Sequence, residues 1–185
     1  MLLPIRSFSE NVQLDKLPVI SWLELNPAFF LALHRQLLFE CGEISNEMLS
    51  LKLDAMDEAK ATPNQHQVHK INFLAQQGIK FFQKFVDSFT RPGETPPTKF
   101  DVDSVRPIVL CHFYMARLWN RQLTADPKQK LLNLSHCLYH YRWIVTYCEI
   151  TDPESLSEVK EEYDACREMA DLLPVKMDRI KEALL

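Results

Sequence analysis

The sequence predicts an all-α fold, an α-solenoid of long antiparallel helical hairpins of the tetratricopeptide-like kind. Apolar side chains recur every three or four residues over most of the chain, which is the period of one helix face. Asn-Pro, Thr-Pro and Asp-Pro pairs, which cap and start helices, precede those segments. Only three glycines occur in 185 residues, few for a protein of hairpin turns or phosphate-binding loops. We therefore expect a helical-repeat domain over residues 26–185 and a partly irregular segment over residues 1–25.

The first long helix is predicted to begin at Asn26-Pro27 and to carry two apolar faces. Its first apolar line contains Phe30, Leu33, Leu37, Cys41, Ile44, Met48, Leu51 and Ala55. The second apolar line, roughly 120° away around the helix, contains Leu31, Leu38, Leu49 and Met56. A helix with two apolar faces is expected to pack against neighbours on two sides, as in a stacked array.

Two further helices are predicted on either side of a proline-rich loop. Thr62-Pro63 marks the second start, and the loop covers Pro92–Lys99. The third helix is expected from about Ser104 to Gln122, with Pro107 in its first turn. The apolar stripe of the second helix contains Val68, Ile71, Leu74, Gly78, Phe82, Phe85 and Phe89.

The last two helices are predicted to begin at Asp126-Pro127 and Asp152-Pro153. The stripe of the fourth contains Leu131, Leu134, Leu138, Tyr141, Val145 and Cys148. The stripe of the fifth contains Leu156, Val159, Tyr163, Cys166, Ala170, Leu173, Met177, Ile180 and Leu184. Steps that alternate between three and four residues indicate a coiled-coil-like seam, through which two copies of the chain would also be able to pair. Pro174 is expected to kink this helix.

Composition favours a soluble cytoplasmic protein and argues against several partners. The net charge is −4 and no long cluster of basic residues occurs, so we expect no nucleic-acid binding. No run of about 18 apolar residues is present, so we expect no membrane insertion. The five cysteines form no C-x-x-C pair and are expected to be buried, reduced thiols. They are Cys41, Cys111, Cys137, Cys148 and Cys166.

Three pairs of histidine or cysteine residues are candidate metal-binding or catalytic sites. His136 and His140 lie four residues apart on one helix, a spacing that allows two imidazoles to share a zinc ion. A metal-dependent enzyme is therefore one alternative, although no third ligand is evident nearby. Cys111 and His112 are adjacent, and adjacent helical side chains point about 100° apart, so a thiolate–imidazole couple is not expected. The remaining histidine pair is His66 and His69.

Those pairs are better explained as structural residues. We therefore expect no catalytic residue, no metal, no cofactor and no small-molecule substrate. The chain also lacks the G-x-S-x-G nucleophile motif and a glycine-rich phosphate loop.

An acidic ridge is the candidate partner-binding site. It consists of Glu40, Glu43, Glu47, Asp54 and Glu58. These five carboxylates fall within an arc of about 60° on the first helix, and no lysine or arginine shares that arc. A solvated helix face is the more common explanation of such a pattern. The functional explanation is a surface that attracts a basic partner and raises its association rate.

Several short segments form a recognisable set in their order along the chain. The most specific is the ending Leu172-Leu173-Pro174-Val175-Lys176-Met177. The other segments are Lys70-Ile71-Asn72, Phe81-Phe82-Gln83, Arg106-Pro107, Phe113, Ala116-Arg117-Leu118, Tyr147-Cys148-Glu149, Glu168-Met169 and Asp178-Arg179. Together they resemble the kinesin-binding protein (KIF-binding protein) family, from about residue 26 to residue 185.

This resemblance implies a tetratricopeptide-like α-solenoid that binds kinesin motor domains and keeps them off microtubules. It thereby implies a role in the transport of organelles, including mitochondria, without catalysis or a cofactor. Tubulin is acidic, so the acidic ridge is expected to imitate it and cover the motor surface. The alternative is a general helical scaffold that holds a peptide or helix in a groove, with no kinesin involved.

Overall fold

A computed structural model of the chain describes residues 27–60, 62–90, 100, 102–150 and 157–184. Its helices are α1 (Pro27–Ala59), α2 (Gln65–Asp87), α3 (Val102–Arg121), α4 (Pro127–Ile150) and α5 (Lys160–Glu182). A 3-10 turn, Ser157–Val159, precedes α5. These ranges contain no β-strand, so the predicted all-α class is confirmed, whereas the solenoid arrangement stays a prediction. None of the described helices combines the length and the apolarity that crossing a bilayer requires.

The chain divides into two compact units, residues 1–36 and residues 37–185. In the first unit the structure describes residues 27–36, the opening turns of α1. The predicted irregular segment 1–25 lies outside the described residues. All contacts discussed below are within the second unit.

Local capping explains where the helices begin. Asp126 accepts a hydrogen bond from the backbone N–H of Lys128 (2.9 Å), and α4 begins at Pro127 as predicted. The predicted start at Thr62-Pro63 is wrong by two residues. Asn64 caps α2 instead, because its Oδ1 accepts from the Gln67 N–H while Gln67 Oε1 accepts from the Asn64 N–H (2.9 Å each). This reciprocal capping box satisfies two free amides, which a proline alone cannot do.

Proline occurs inside two of the described helices, α3 and α5. Pro107 lies inside α3 and not in its first turn, because α3 begins earlier than predicted, at Val102. The helical assignment of α5 continues through Pro174, and the predicted kink there stays a prediction. The predicted loop Pro92–Lys99 and the predicted start at Asp152-Pro153 lie outside the described residues.

The core of the second unit consists of two apolar clusters that share α3. One cluster joins α1, α2 and α3, and the other joins α3, α4 and α5. One face of α3 supplies Ile108, Cys111, Met115 and Leu118 to the first cluster, and another supplies Val105, Val109 and Ala116 to the second. Consecutive helices therefore pack on one another, with α3 buried on two sides.

The apolar stripes predicted for α2, α4 and α5 are confirmed as inward faces. Ile71, Phe82 and Phe85 of α2 are buried, as are Leu134, Tyr141 and Cys148 of α4. Val159 in the 3-10 turn, and Cys166 and Leu173 in α5, belong to the predicted seam and are buried against the rest of the chain. Because α4 covers the centre of that seam within the chain, the centre of the seam is not exposed for pairing between two copies.

The prediction for α1 is wrong in one respect. The second apolar line is inward, with Leu38 and Leu49 buried, but the first apolar line is not. Its members Leu37, Ile44, Met48 and Leu51 are between 46% and 63% exposed. The inward face carries the small residues Gly42 and Ser45. Because these side chains are small, α2 packs closely against this face and covers it.

Two facing glycines, Gly42 and Gly78, allow α1 and α2 to approach closely. A Cβ atom added at Gly42 would lie 2.5–2.7 Å from ring atoms of Phe82. A Cβ atom added at Gly78 would lie 2.8 Å from Leu118 Cδ1 and 3.4 Å from Ser45 Cβ. Real Cβ atoms do not approach other atoms so closely, so both positions require glycine or a shift of their neighbours.

Substitution of Gly42 by alanine is therefore expected to destabilise the protein. In an ordinary helix interior the same change stabilises by about 1 kcal/mol, but here the buried Phe82 ring must move, which costs about 1–3 kcal/mol. Gly78→Ala is the matched comparison. Its obstacle is the end of a flexible leucine side chain, so a smaller loss is expected. Urea unfolding measures both, and a stabilised Gly42→Ala variant would contradict the packing at this position.

Candidate partner-binding surface

The acidic ridge lies on α1, as the sequence predicts. Glu40, Glu47, Asp54 and Glu58 are exposed and Glu43 is half-buried. The helix is continuous from Pro27 to Ala59, so the five carboxylates share one side of it over several turns. All five residues of the ridge therefore belong to one helix. Its role in binding a partner stays a prediction.

Glu43 occupies the border between the ridge and the core. Its pKa is raised, first by partial burial and then by repulsion from Glu40 and Glu47. Burial and the charge of Glu43 also raise the pKa of the phenol of Tyr114 on α3. The ridge therefore carries concentrated negative charge next to α3, and a cation that arrives there lowers the repulsion among its carboxylates.

Exposed apolar side chains lie beside the ridge. Leu37, Ile44, Met48 and Leu51 of the first apolar line occupy the sector next to the carboxylates, roughly 20° away at the nearest point. Apolar surface that forms a continuous patch with a polar rim is typical of interaction sites, whereas single exposed apolar residues are not. The outer side of α1 thus combines an apolar strip with a negatively charged flank. Sequence periodicity showed the strip but not that it faces outward.

The histidines considered as metal ligands are engaged in aromatic packing. The ring of His136 stacks on Trp119 of α3, with 4.3 Å between ring centroids and 17° between planes. His140 is buried, and its Nδ1 lies 3.0 Å from Nδ1 of His112. His66 and His69 are exposed at the opening of α2. Within the described ranges, no three or more His, Cys, Asp or Glu side chains are grouped so as to hold a metal ion.

The contact between His112 and His140 could not be found from the sequence, because the two residues lie on different helices. The His112 ring also stacks on Trp143, with 3.8 Å between centroids and 7° between planes. Burial lowers the pKa of His112 well below its usual value, and the neighbouring His140 lowers it further. Burial and then His136 lower the pKa of His140 to about 4. Both imidazoles are therefore neutral at pH 7, and one donates its Nδ1–H to the other.

The cysteines behave as the sequence predicts. All five are free, and all except the half-buried Cys41 are buried. Burial is the main cause that raises the pKa of Cys148 to about 11 and the pKa of both Cys137 and Cys166 to about 12. Cys111 is shifted in the same direction for the same reason. These thiols are protonated at neutral pH and are weak nucleophiles.

Comparisons with known proteins agree with the resemblance found in the sequence. The family described as "KIF-1 binding protein C terminal" matches residues 15–180. The KIF-binding proteins of Rattus norvegicus and Homo sapiens are 40% and 39% identical to this chain over 159 residues, 86% of this chain and 25% of each relative. The KIF-binding protein of Drosophila melanogaster is 27% identical over 162 residues, 86% of this chain and 27% of the relative.

The match covers most of this chain but only part of each relative. The chain spans about a quarter of the length of the curated relatives that it matches. No solved structure matches it. Because the family match covers residues 15–180, nearly the whole chain, this protein belongs to the KIF-1 binding protein C-terminal family.

Proposed function

We propose that this chain is a protein-binding helical-repeat module that binds kinesin motor domains. The observation that carries the proposal is its 40% identity over 159 residues to a protein named KIF-binding protein. The shared region includes the helices that build both apolar clusters. A binding role without catalysis, cofactor or small-molecule substrate follows from that assignment. Nucleic acid is not a partner in this proposal, in keeping with the net charge of −4.

The proposed mechanism is occlusion of the motor surface that otherwise engages the microtubule. The acidic ridge imitates acidic tubulin and attracts the basic surface of the motor. Leu37, Ile44, Met48 and Leu51, exposed beside it, then bury apolar area in the complex. Attraction between charges mainly raises the association rate, and apolar burial lowers the dissociation rate. The cellular consequence would be control of organelle transport, mitochondria included, in the cytoplasm and at the cytoskeleton.

Charge reversal tests the ridge. The triple variant Glu40→Lys, Glu43→Lys and Glu47→Lys is expected to weaken binding to a purified kinesin motor domain by about tenfold or more at low salt. The loss is expected to shrink as salt screens the charges. Surface plasmon resonance at two ionic strengths measures both effects.

A matched control has the same change of net charge on another helix. Glu161, Glu168 and Asp171 are exposed on α5, and replacing all three with lysine is expected to leave the affinity within about twofold. Circular dichroism of both variants checks that the helices remain. If both variants lose affinity equally, net charge and not the ridge controls binding. Undiminished affinity of the ridge variant would remove the ridge from the mechanism.

A second candidate function is a general scaffold that binds one amphipathic helix. The exposed apolar strip on α1 favours it, because an amphipathic helix binds by burying its apolar face against apolar surface of its partner. The expected occupant has an apolar face and lysine or arginine on one edge, opposite the ridge. Affinity capture from cytosol separates the two functions, since kinesin motors are recovered only under the first.

A further inference from the structure

A pocket of about 240 Å³ lies between α3, α4 and α5. Its walls include Phe113 and Asn120 of α3, Tyr141 of α4 and Met169 of α5. Arg117 and Arg121, one helical turn apart on α3, also line it. The described residues that line the pocket include no carboxylate. The pocket thus places two cations in one concavity with partly apolar walls.

Within the described part of the chain, both guanidinium groups contact neutral groups. Arg121 Nη1 donates to Ser50 Oγ (2.8 Å) and lies 3.4 Å from Asn46 Oδ1. The Arg117 guanidinium lies over the Phe113 ring, 5.6 Å from its centroid. Neither contact supplies a negative charge.

The pKa of Arg121 agrees with incomplete neutralisation of the positive charges of Arg117 and Arg121. Its pKa is lowered, first by burial and then by the like charge of Arg117, while Asp54 opposes that shift. Asp54 acts on Arg121 through space, since the hydrogen bonds of Arg121 Nη1 go to Ser50 Oγ and Asn46 Oδ1. An anion that binds between two half-buried cations one helical turn apart stabilises both of them.

We propose that this pocket binds an oxyanion, a phosphoryl or carboxylate group, between the guanidinium groups of Arg117 and Arg121. Arginine presents planar, paired N–H donors that match two oxygens of such a group. The side chains of Phe113 and Met169 supply apolar walls beside the two guanidinium groups. The proposal does not depend on kinesin binding, because it rests on the residues that line the pocket, and none of these belongs to the acidic ridge.

Titration of the whole chain with inorganic phosphate and, separately, with acetate tests this proposal. Ionic strength is held constant with chloride, and NMR follows the side-chain Nε–H signals of arginine. We expect saturable shifts of the Arg117 and Arg121 signals in the wild type. Arg117→Gln is expected to weaken binding by about tenfold or more, and Arg117→Lys by less, because lysine keeps the charge but loses the paired donors. Arg106→Gln, at an exposed position of the same helix, is the control and is expected to bind normally.

The two ions distinguish the sources of the group. Saturable binding of phosphate alone assigns a phosphoryl group, and binding of both ions extends the site to the carboxylate of an acidic side chain. If Arg117→Gln does not fold by circular dichroism, Arg117→Lys provides the comparison. Equal weakening in Arg106→Gln would mean an adventitious ion only, and would overturn the proposal. Absence of saturable shifts with either ion would overturn it as well.

Discussion

Replacing Phe82 with alanine is expected to lower the free energy of unfolding by about 3–5 kcal/mol. The Phe82 side chain is fully buried and joins three helices. Its ring stacks on Tyr114 of α3 (5.3 Å between centroids) and meets Phe39 of α1 edge-on (5.9 Å). It also fills the space over Gly42. Removal of the ring leaves a cavity among these helices, so the cost exceeds the transfer free energy of the side chain alone.

Urea unfolding followed by circular dichroism measures this loss. Phe73→Ala is the matched control, because Phe73 lies on the same helix and is exposed. Its expected effect is below about 1 kcal/mol. Equal losses at the two positions would show that Phe82 does not hold α1 and α3 onto α2.

Acid is expected to destabilise the protein through the buried histidine pair. The pKa of His140 is about 4 in the folded chain and about 6.5 when unfolded. Because the unfolded state binds protons more readily, stability is complete above the unfolded pKa and falls as the pH drops toward the folded one. Between pH 7.5 and 5, His140 alone contributes a loss of about 2 kcal/mol. His112 is shifted in the same direction and adds to the loss.

Unfolding at pH 7.5 and pH 5 measures this dependence. Replacing His112 and His140 with leucine is expected to flatten the difference between the two pH values. Replacing the exposed His66 and His69 with leucine serves as the control and is expected to leave it unchanged. An equally steep pH dependence in the His112 and His140 variant would assign the acid sensitivity to other groups.

The positions of the helices were largely predictable because they depend on short-range signals. Asp126-Pro127 supplies both the cap and the fixed φ of α4, and periodic apolar residues identify the inward faces of α2, α4 and α5. The start of α2 was missed because the capping box of Asn64 and Gln67 competes with Thr62-Pro63 two residues earlier. Short-range signals compete locally, and the one that satisfies more amides prevails.

The faces of α1 and α3 show the limit of that reasoning. Both helices carry two apolar lines, but only α3 is covered on both sides. Periodicity identifies an apolar face and does not specify which neighbour covers it. The first apolar line of α1 therefore appeared to be core, although Leu37 and Ile44 are exposed.

The same distinction applies to the candidate sites. The acidic ridge was predictable because its residues lie on one helix, where spacing fixes geometry. The contact between His112 and His140 and the pocket at Arg117 require α3, α4 and α5 to be assembled. Single-sequence periodicity gives no direct measure of such assembly.

The sharing of α3 between two cores has a consequence for proteolysis. A cut in the connection between Arg121 and Pro127 would leave Val105, Val109 and Ala116 uncovered on the N-terminal fragment. The C-terminal fragment would lose α3, the helix that packs on Tyr141 and Ile144 of α4. Each fragment would then expose a large apolar surface. Limited digestion at this connection should therefore yield fragments that stay associated or precipitate, and not two independently soluble halves.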